Sequence, residues 1–277
     1  MTTSPSRADK TRLFLELHEP GAPLLLPNPW DVGTAKILAS LGYRALATTS
    51  SGYAGTLGRQ DGDMTADEAF EHGAEIAAAT DLPVSADLEN GFADAPEGVA
   101  TTIRRACEAG LAGCSIEDFT GPSSDSIYPA ALAVERIEAA ARVARAEDTR
   151  IVLTARAESH LHGGTDLGET IERLQAFAAA GADAVYAPGL RDLSEITKLV
   201  AAVPAPVNVL LLPGGPSVAE LAGAGVARIS VGGAFYLASI AALATAGREL
   251  LEQGTHEFWS QSLAGAQDTR RAFSNDS

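Results

Sequence analysis

The sequence predicts an α/β protein that folds as one (β/α)₈ barrel (a TIM barrel) over residues 1–277, with no second domain. Short β-rich runs alternate along the chain with longer amphipathic segments rich in Ala, Glu and Leu, and no linker-like stretch separates them. This alternation is typical of right-handed βαβ units around a parallel sheet. Eight such units in a chain of this length favour a closed barrel over an open, doubly wound sheet.

The eight predicted strands are short, mostly apolar runs bounded by turn residues, as expected for strands buried in a parallel sheet. They lie at 23–26, 45–48, 84–87, 113–117, 151–155, 184–187, 207–211 and 228–231. Helical patterns lie between and after them, for example at 65–79, 95–109, 134–146, 167–180, 193–202 and 218–223. Four helices end in an apolar residue and a glycine before an even-numbered strand, at Gly42, Gly110, Gly181 and Gly225. A glycine at this position ends a helix and turns the chain back into the barrel.

Both ends of the chain exceed what a barrel needs. Residues 1–19 predict an extra helix ahead of the first strand, and residues 254–277 predict a helical extension after the last barrel helix. The extension is amphipathic, so we expect it to pack on a neighbouring subunit.

Composition and charge exclude several classes of function. Hydrophobic residues make up 46% and charged residues 20% of the chain, which is typical of a globular protein with a substantial core. The net charge of −16 argues against nucleic acid or an anionic membrane surface as a partner. The N-terminus lacks the apolar stretch of a signal peptide, so we expect a cytoplasmic protein with no membrane span. Cys107 and Cys114 have no metal-binding spacing and are expected in the core.

The third predicted strand ends in a pair of acids, Asp87 and Glu89, followed by Asn-Gly. Residues i and i+2 of a strand point the same way, so the two carboxylates can converge on one point. Convergent carboxylates suit a hard divalent cation, which prefers oxygen ligands. A solvated acidic turn is the alternative, and the pair alone does not exclude it.

Polar residues follow the other predicted strands as well. In a barrel of this type the strand ends share one face, where the active site lies. The polar strand-end and loop residues are Asp31, Thr48, Thr49, Ser50, Asp61, Glu117, Asp118, Arg156, Glu158, His160 and Asn208. So many acids on one face require a cation, and carboxylates without a cysteine–histidine cluster favour Mg²⁺ or Mn²⁺ over zinc. Some of these acids, Asp31 together with the nearby Asp94, are expected merely to cap helices.

Several of these segments, in order, resemble the isocitrate lyase/phosphoenolpyruvate mutase superfamily over about residues 10–250. The resemblance lies in Pro83-Val-Ser-Ala-Asp87-Leu-Glu-Asn-Gly-Phe92, Gly113-Cys-Ser-Ile-Glu117-Asp118, Thr154-Ala-Arg156, Asn28-Pro-Trp-Asp31, Leu57-Gly-Arg-Gln-Asp61, Ala180-Gly-Ala-Asp-Ala184 and Pro206-Val-Asn208.

The resemblance implies a role for each matching residue. Asp87 would be the principal Mg²⁺ ligand, and Asp61, Glu89 and Glu117 would hold the ion through its waters. Thr48, Thr49 and Ser50 would bind the carboxylate of the substrate, and Asn208 is a further candidate contact. Arg156 would clamp a 2-oxo acid, and with Asp61 and Glu117 it would form the catalytic set. The family's chemistry makes or breaks a bond alpha to an enolate, and its members form tetramers by exchanging a C-terminal helix.

The loop after the fourth strand departs from the family pattern. The lyases carry a lysine-lysine-cysteine-glycine-histidine loop there, whereas residues 119–129 contain no lysine or cysteine, and no cysteine follows Glu117. Candidates for proton transfer are Tyr128, Ser123, Ser124 and Asp125 of this loop, and the histidines His160 and His162, which otherwise have no role.

The sequence therefore predicts a Mg²⁺-dependent lyase, decarboxylase or hydrolase acting on a small 2-oxo acid that resembles oxaloacetate. The alternatives are a phosphonopyruvate-type carbon–phosphorus bond enzyme and a 2-oxo acid binding protein that has lost its chemistry.

Overall fold

The computed structural model describes residues 4–121, 126–146 and 150–274. The strands are β1 Leu24–Leu26, β2 Leu46–Ala47, β3 Val84–Asp87, β4 Gly113–Glu117, β5 Val152–Arg156, β6 Ala184–Tyr186, β7 Val207–Leu210 and β8 Arg228–Ser230. The helices are α1 Arg7–Glu16, α2 Val32–Ser40, α3 Ser50–Thr56, α4 Ala66–Ala79, α5 Pro96–Glu108, α6 Ala130–Ala144, α7 Leu167–Ala179, α8 Leu193–Ala202, α9 Val218–Gly223, α10 Ala234–Gln253 and α11 Trp259–Phe273.

The eight strands form one parallel sheet that curls into a nearly closed barrel. Each strand from β2 to β8 pairs with the next, and β8 pairs with β1, so the gap lies between β1 and β2. The amide of Ala47 crosses this gap to the carbonyl oxygen of Pro27 at 3.0 Å. The side chain of Asn28 also ties the gap, since it donates to the carbonyl of Thr48 and accepts from the amides of Val231 and Gly232. The predicted barrel is confirmed.

Helix α1 packs against the barrel, and its apolar residues form a second core there. Ser6 caps the helix, and Phe14 is fully buried beside Leu24, Ala112 and Val152. Gly113 leaves room for the Phe14 ring, because a Cβ at position 113 would lie 2.5 Å from it. The predicted N-terminal helix is therefore present from Arg7, and residues 1–3 lie outside the described chain.

Most element bounds agree with the prediction to within two residues, and the exceptions have local causes. The four glycines predicted to end helices all adopt the left-handed conformation. Helix α6 begins at Ala130, four residues before the predicted start, directly after Pro129. Residues 50–56, predicted as loop, form α3. Asp31 caps α2 as expected, whereas Asp94 does not cap α5, because its carboxylate instead accepts a hydrogen bond from the hydroxyl of Tyr128.

Helices α10 and α11 follow the last strand and leave much apolar surface uncovered in the single chain. No residue of either helix is buried, and Leu237, Leu243 and Leu251 are 64%, 69% and 86% exposed. By length and composition alone α10 could also cross a membrane; it is the one such helix in the described ranges. The sequence did not predict this helix as a possible membrane span, because Arg248 and Glu249 interrupt its apolar run near the end. The predicted C-terminal extension is present as α11, which packs on α2.

Candidate active site

Two adjoining cavities open where the strands end. The smaller, of about 180 Å³, is lined by residues of all eight strands or the loops that follow them. The larger, of about 680 Å³, lies against the ends of β3, β4 and β5. Ser50, Asp61, Arg156 and Leu161 line both. Every residue that the sequence singled out for metal or substrate binding lines at least one of the two cavities.

Asp87 lies at the centre of the site and is held by Arg156 of β5 and by two residues that follow β2. Its Oδ1 accepts a hydrogen bond from Arg156 at 2.8 Å, and its Oδ2 accepts one from the Ser50 hydroxyl at 3.0 Å. Its amide donates to the Thr48 hydroxyl at 2.9 Å. Two of the residues predicted to contact substrate, Thr48 and Ser50, therefore also orient Asp87. Thr49, which lies between them, caps α3 by accepting from the amide of Gly52.

Arg156 is surrounded by three carboxylates. Its Nε donates to Glu158 at 2.7 Å, and its terminal nitrogens lie 2.8 Å from Asp87 and 3.2 Å from Glu117. Glu117 and Arg156 face each other because β4 and β5 pair in that register. Burial opposes the positive charge, but the three carboxylates together raise the pKa of Arg156 well above its ordinary value. One N–H on each terminal nitrogen is left for a ligand.

Glu158 is the residue of this cluster that the sequence analysis did not assign. It is buried, and its amide donates to Asp118 Oδ1 at 2.8 Å. Asp118 in turn forms an ion pair with Arg173 at 3.3 Å. Burial raises the pKa of Asp118 to about 6, against the lowering effect of its hydrogen bond and of Arg173. The sequence did carry a signal for Glu158, because it lies two residues after Arg156 and residues i and i+2 of an extended segment point the same way.

The turn after Asp87 has an unusual backbone. Glu89 and Phe92 have φ values of 47° and 53°, the two positive values at non-glycine residues in the described chain, and Gly91 lies between them at 76°. Such conformations are strained outside glycine and are concentrated at functional sites. The turn directs the Glu89 side chain into the larger cavity, where its Oε1 is buried without a hydrogen-bond partner. Burial, with the nearby Asp87 and Asp61, raises the pKa of Glu89 to about 8.

The remaining acids of the predicted metal set flank this turn. Glu117 lines the larger cavity, and burial raises its pKa well above the ordinary value, despite the opposing charge of Arg156. Asp61 lies at the exposed rim, where desolvation of its carboxyl and the charge of Asp87 raise its pKa. Both acids therefore lie in a field that already carries excess negative charge.

The donor set fits a hydrated divalent cation. Within the described ranges no three Asp, Glu, His or Cys side chains are placed to bind one ion together. Mg²⁺ requires less, because it keeps several waters and is often held by one or two carboxylates. The buried, unpartnered oxygen of Glu89 beside Asp87 is the observation that fits such a cation. Asp87 would hold the ion, with Asp61, Glu89 and Glu117 accepting from its waters.

Asn208 lines the smaller cavity, but its amide is engaged within the protein. Its Oδ1 accepts from Arg228 at 3.0 Å, and its Nδ2 donates to the Ser230 hydroxyl at 3.1 Å. Arg228 also donates to Thr154 and to His18, each at 3.0 Å. No sequence pattern pointed to Arg228 or His18, which are 210 residues apart.

The candidates for proton transfer lie in different surroundings. Tyr128, a candidate for proton transfer, is buried and lines neither cavity; its hydroxyl donates to Asp94 and its ring lies under the Arg136 guanidinium. His162 lines the larger cavity with its ring stacked on Phe119, at 3.8 Å between centroids. His160 lines neither cavity. Ser123, Ser124 and Asp125 lie outside the described residues.

Comparisons with known proteins find similar sequences and structures along most of the chain. The family model described as phosphoenolpyruvate phosphomutase matches residues 14–251. An uncharacterised protein of Mycobacterium tuberculosis is 34% identical over 241 residues, covering 85% of this chain and 87% of its own. The oxaloacetate decarboxylase of Chromohalobacter salexigens is 30% identical over 273 residues, covering 94% of this chain and 92% of its own. A crystal structure from Burkholderia cenocepacia J2315, provisionally named a lyase/mutase, is 48% identical, with a TM-score of 0.92 over 98% of this chain and 97% of that one.

Proposed function

The chain belongs to the phosphoenolpyruvate mutase/isocitrate lyase superfamily, whose members include carbon–carbon lyases. From this premise we propose that it is a Mg²⁺-dependent lyase, decarboxylase or hydrolase that acts on a small, oxaloacetate-like 2-oxo acid. The observation that carries the proposal is the cluster at the end of β3–β5, in which Arg156 and four acids surround the cavities.

The cluster combines acids that would hold a metal ion with an arginine that can donate to the substrate, and this combination supports an enolate mechanism. A bound Mg²⁺ supplies Lewis-acid stabilisation of a developing enolate oxygen. Arg156 lines both cavities, so its guanidinium is placed to donate to the 2-oxo acid and to share the negative charge as it develops. Glu158, anchored through Asp118, fixes the plane of the Arg156 guanidinium and so keeps these donors aimed.

The curated relatives favour carbon–carbon chemistry. Besides the oxaloacetate decarboxylase, they include 2-methylisocitrate lyases, such as that of Escherichia coli at 31% identity over 209 residues. Phosphonopyruvate chemistry is the alternative, because the matching family model is described as phosphoenolpyruvate phosphomutase. That chemistry needs more positive charge near the phosphonate, whereas the described part of the loop after β4 carries no Lys or Arg.

We also propose that the protein is a homo-oligomer, in the form of a tetramer that exchanges a C-terminal helix. The exposed apolar residues of α10 and α11 support this, because a face of this kind is costly to leave in water. With its negative charge the protein has no nucleic acid or membrane partner in this proposal, and it acts in the cytoplasm.

A substrate panel tests the proposal. Oxaloacetate, its 3-substituted analogues and phosphonopyruvate are each incubated with protein and Mg²⁺, and consumption and pyruvate formation are followed. Turnover of an oxaloacetate-like acid supports the proposed lyase. Turnover of phosphonopyruvate alone supports the carbon–phosphorus enzyme instead. Tight binding across the panel without turnover identifies a binding protein and contradicts the proposal.

A further inference from the structure

Arg228 places a positive charge on the wall of the smaller cavity, and no carboxylate neutralises it there. The residue is the first of β8 and is 4% exposed. Among the described residues, no Asp or Glu forms an ion pair with its guanidinium. Its charged or ionisable neighbours include Tyr186, His18 and Arg156, the last of which repels it. Burial therefore lowers the pKa of Arg228 to about 10, at which it is still protonated near neutral pH.

Within the described ranges, each hydrogen-bond partner of Arg228 is a neutral group. Two are Asn208 Oδ1 and Thr154 Oγ1. The third is His18 Nε2, whose Nδ1 lies 2.7 Å from the carbonyl oxygen of Phe14. A carbonyl only accepts, so Nδ1 carries the proton and Nε2 accepts from Arg228. Burial and Arg228 lower the pKa of His18 to about 3, so this imidazole is neutral. The partners fix the position of the guanidinium and leave its charge uncompensated.

The charges around the two cavities are distributed unevenly. Asp87, Glu89 and Glu117 lie at the ends of β3 and β4. The wall formed by β6, β7 and β8 instead presents Tyr186, Asn208, Ser230 and Arg228. A metal ion and Arg156 would offset the acids on the first side. On the second side, the positive charge of Arg228 is left for a ligand to offset.

We propose that Arg228 is a specificity-determining residue that makes the smaller cavity select dianionic over monoanionic ligands. An unneutralised buried charge is costly to the free protein, so part of this cost is recovered when an anion binds nearby. The inference rests on the proposed function only in taking the ligand to be a small carboxylate. It concerns ligand charge, which can be measured by binding alone.

The size of the effect follows from Coulomb's law. At a fixed distance, the interaction of one positive charge with a dianion is twice its interaction with a monoanion. Affinity depends exponentially on free energy, so the factor lost by the dianion is the square of the factor lost by the monoanion. If loss of the Arg228 charge weakens a monoanion about tenfold, it weakens a dianion about a hundredfold.

The probes are oxalate, a dianion, and oxamate, its monoanionic amide, bound in the presence of saturating Mg²⁺ and measured by isothermal titration calorimetry. Arg228→Gln removes the charge and keeps a hydrogen-bond donor for Thr154 or His18. Arg228→Lys keeps the charge. His18→Gln is the matched control, because it alters the same buried contact and leaves the charge in place. Thermal unfolding of each variant verifies that it is folded, and Arg228→Met replaces Arg228→Gln if the latter is unfolded.

We expect Arg228→Gln to weaken oxalate about a hundredfold and oxamate about tenfold, while Arg228→Lys and His18→Gln stay within about threefold of the wild type for both. Equal losses for the two anions, no loss for either, or a wild type that binds neither would overturn the inference. If the selective loss is found but no 2-oxo acid is turned over by the wild type, the proposed function fails and the inference stands.

Discussion

The neutral, buried His18 makes a specific prediction about stability against pH. Its pKa is about 3 in the folded protein, against about 6.5 in an unfolded chain. Between these values the unfolded state binds a proton that the native state does not, so stability falls as pH falls. Each pH unit in this window costs about 1.4 kcal/mol. From pH 7 to pH 5 the wild type should therefore lose about 2 kcal/mol through this group.

The substitution His18→Gln removes the titration while offering one donor for Phe14 and one acceptor for Arg228. Urea unfolding of both proteins at pH 7, 6 and 5, at one protein concentration, gives the difference in free energy of unfolding at each pH. We expect that difference to change by about 2 kcal/mol in favour of the variant as pH falls to 5. Asp118 and the other acids titrate in both proteins and cancel. Parallel pH profiles for the two proteins would refute the assigned neutral imidazole.

Three further predictions concern the site and the surface. Arg156→Lys should lower turnover about 10²–10³-fold with secondary structure unchanged, because one ammonium cannot contact three carboxylates and a ligand together; circular dichroism and kinetics check this. Tyr128→Phe should cost about 1–3 kcal/mol in urea unfolding, since it leaves Asp94 without its partner, yet keep turnover within about threefold; a much larger kinetic loss would restore this tyrosine as a proton donor. Leu243→Glu should dissociate the oligomer in light scattering while Lys198→Glu does not, and a wild type that is already monomeric would contradict the exchange of helices.

The barrel could be predicted from the sequence because its signals are local and repeated. Each strand is a short apolar run, and each of the four helix-ending glycines needs a left-handed backbone. Helix α3 could not be predicted, since Gly52 and Gly55 are weak helix formers. Gly55 is required by a tertiary contact, because a Cβ there would lie 2.5–2.6 Å from the side chain of Tyr236, which is far along the chain.

The grouping of these residues around two cavities could be predicted from the sequence, whereas most of the contacts between them could not. The barrel brings Asp87, Glu117 and Arg156 together, because strand ends share one face. The sequence did not show how far Arg156 itself would offset the acids, whereas in the structure it pairs with three of them. The pairing of Arg228 with His18 left no mark on the sequence, because it joins β8 to the segment that follows α1.

The most direct test of the central claim is the fate of oxaloacetate, followed by proton NMR with wild-type protein and Asp87→Asn, each with Mg²⁺ or with EDTA. The proposed function predicts that the wild type with Mg²⁺ consumes oxaloacetate faster than Mg²⁺ alone. The products would be pyruvate from decarboxylation, or acetate with NMR-silent oxalate from hydrolysis. Both EDTA and Asp87→Asn should abolish the acceleration. Consumption no faster than with Mg²⁺ alone, or an acceleration that survives EDTA, would contradict the claim that this site is a Mg²⁺-dependent enzyme for an oxaloacetate-like 2-oxo acid.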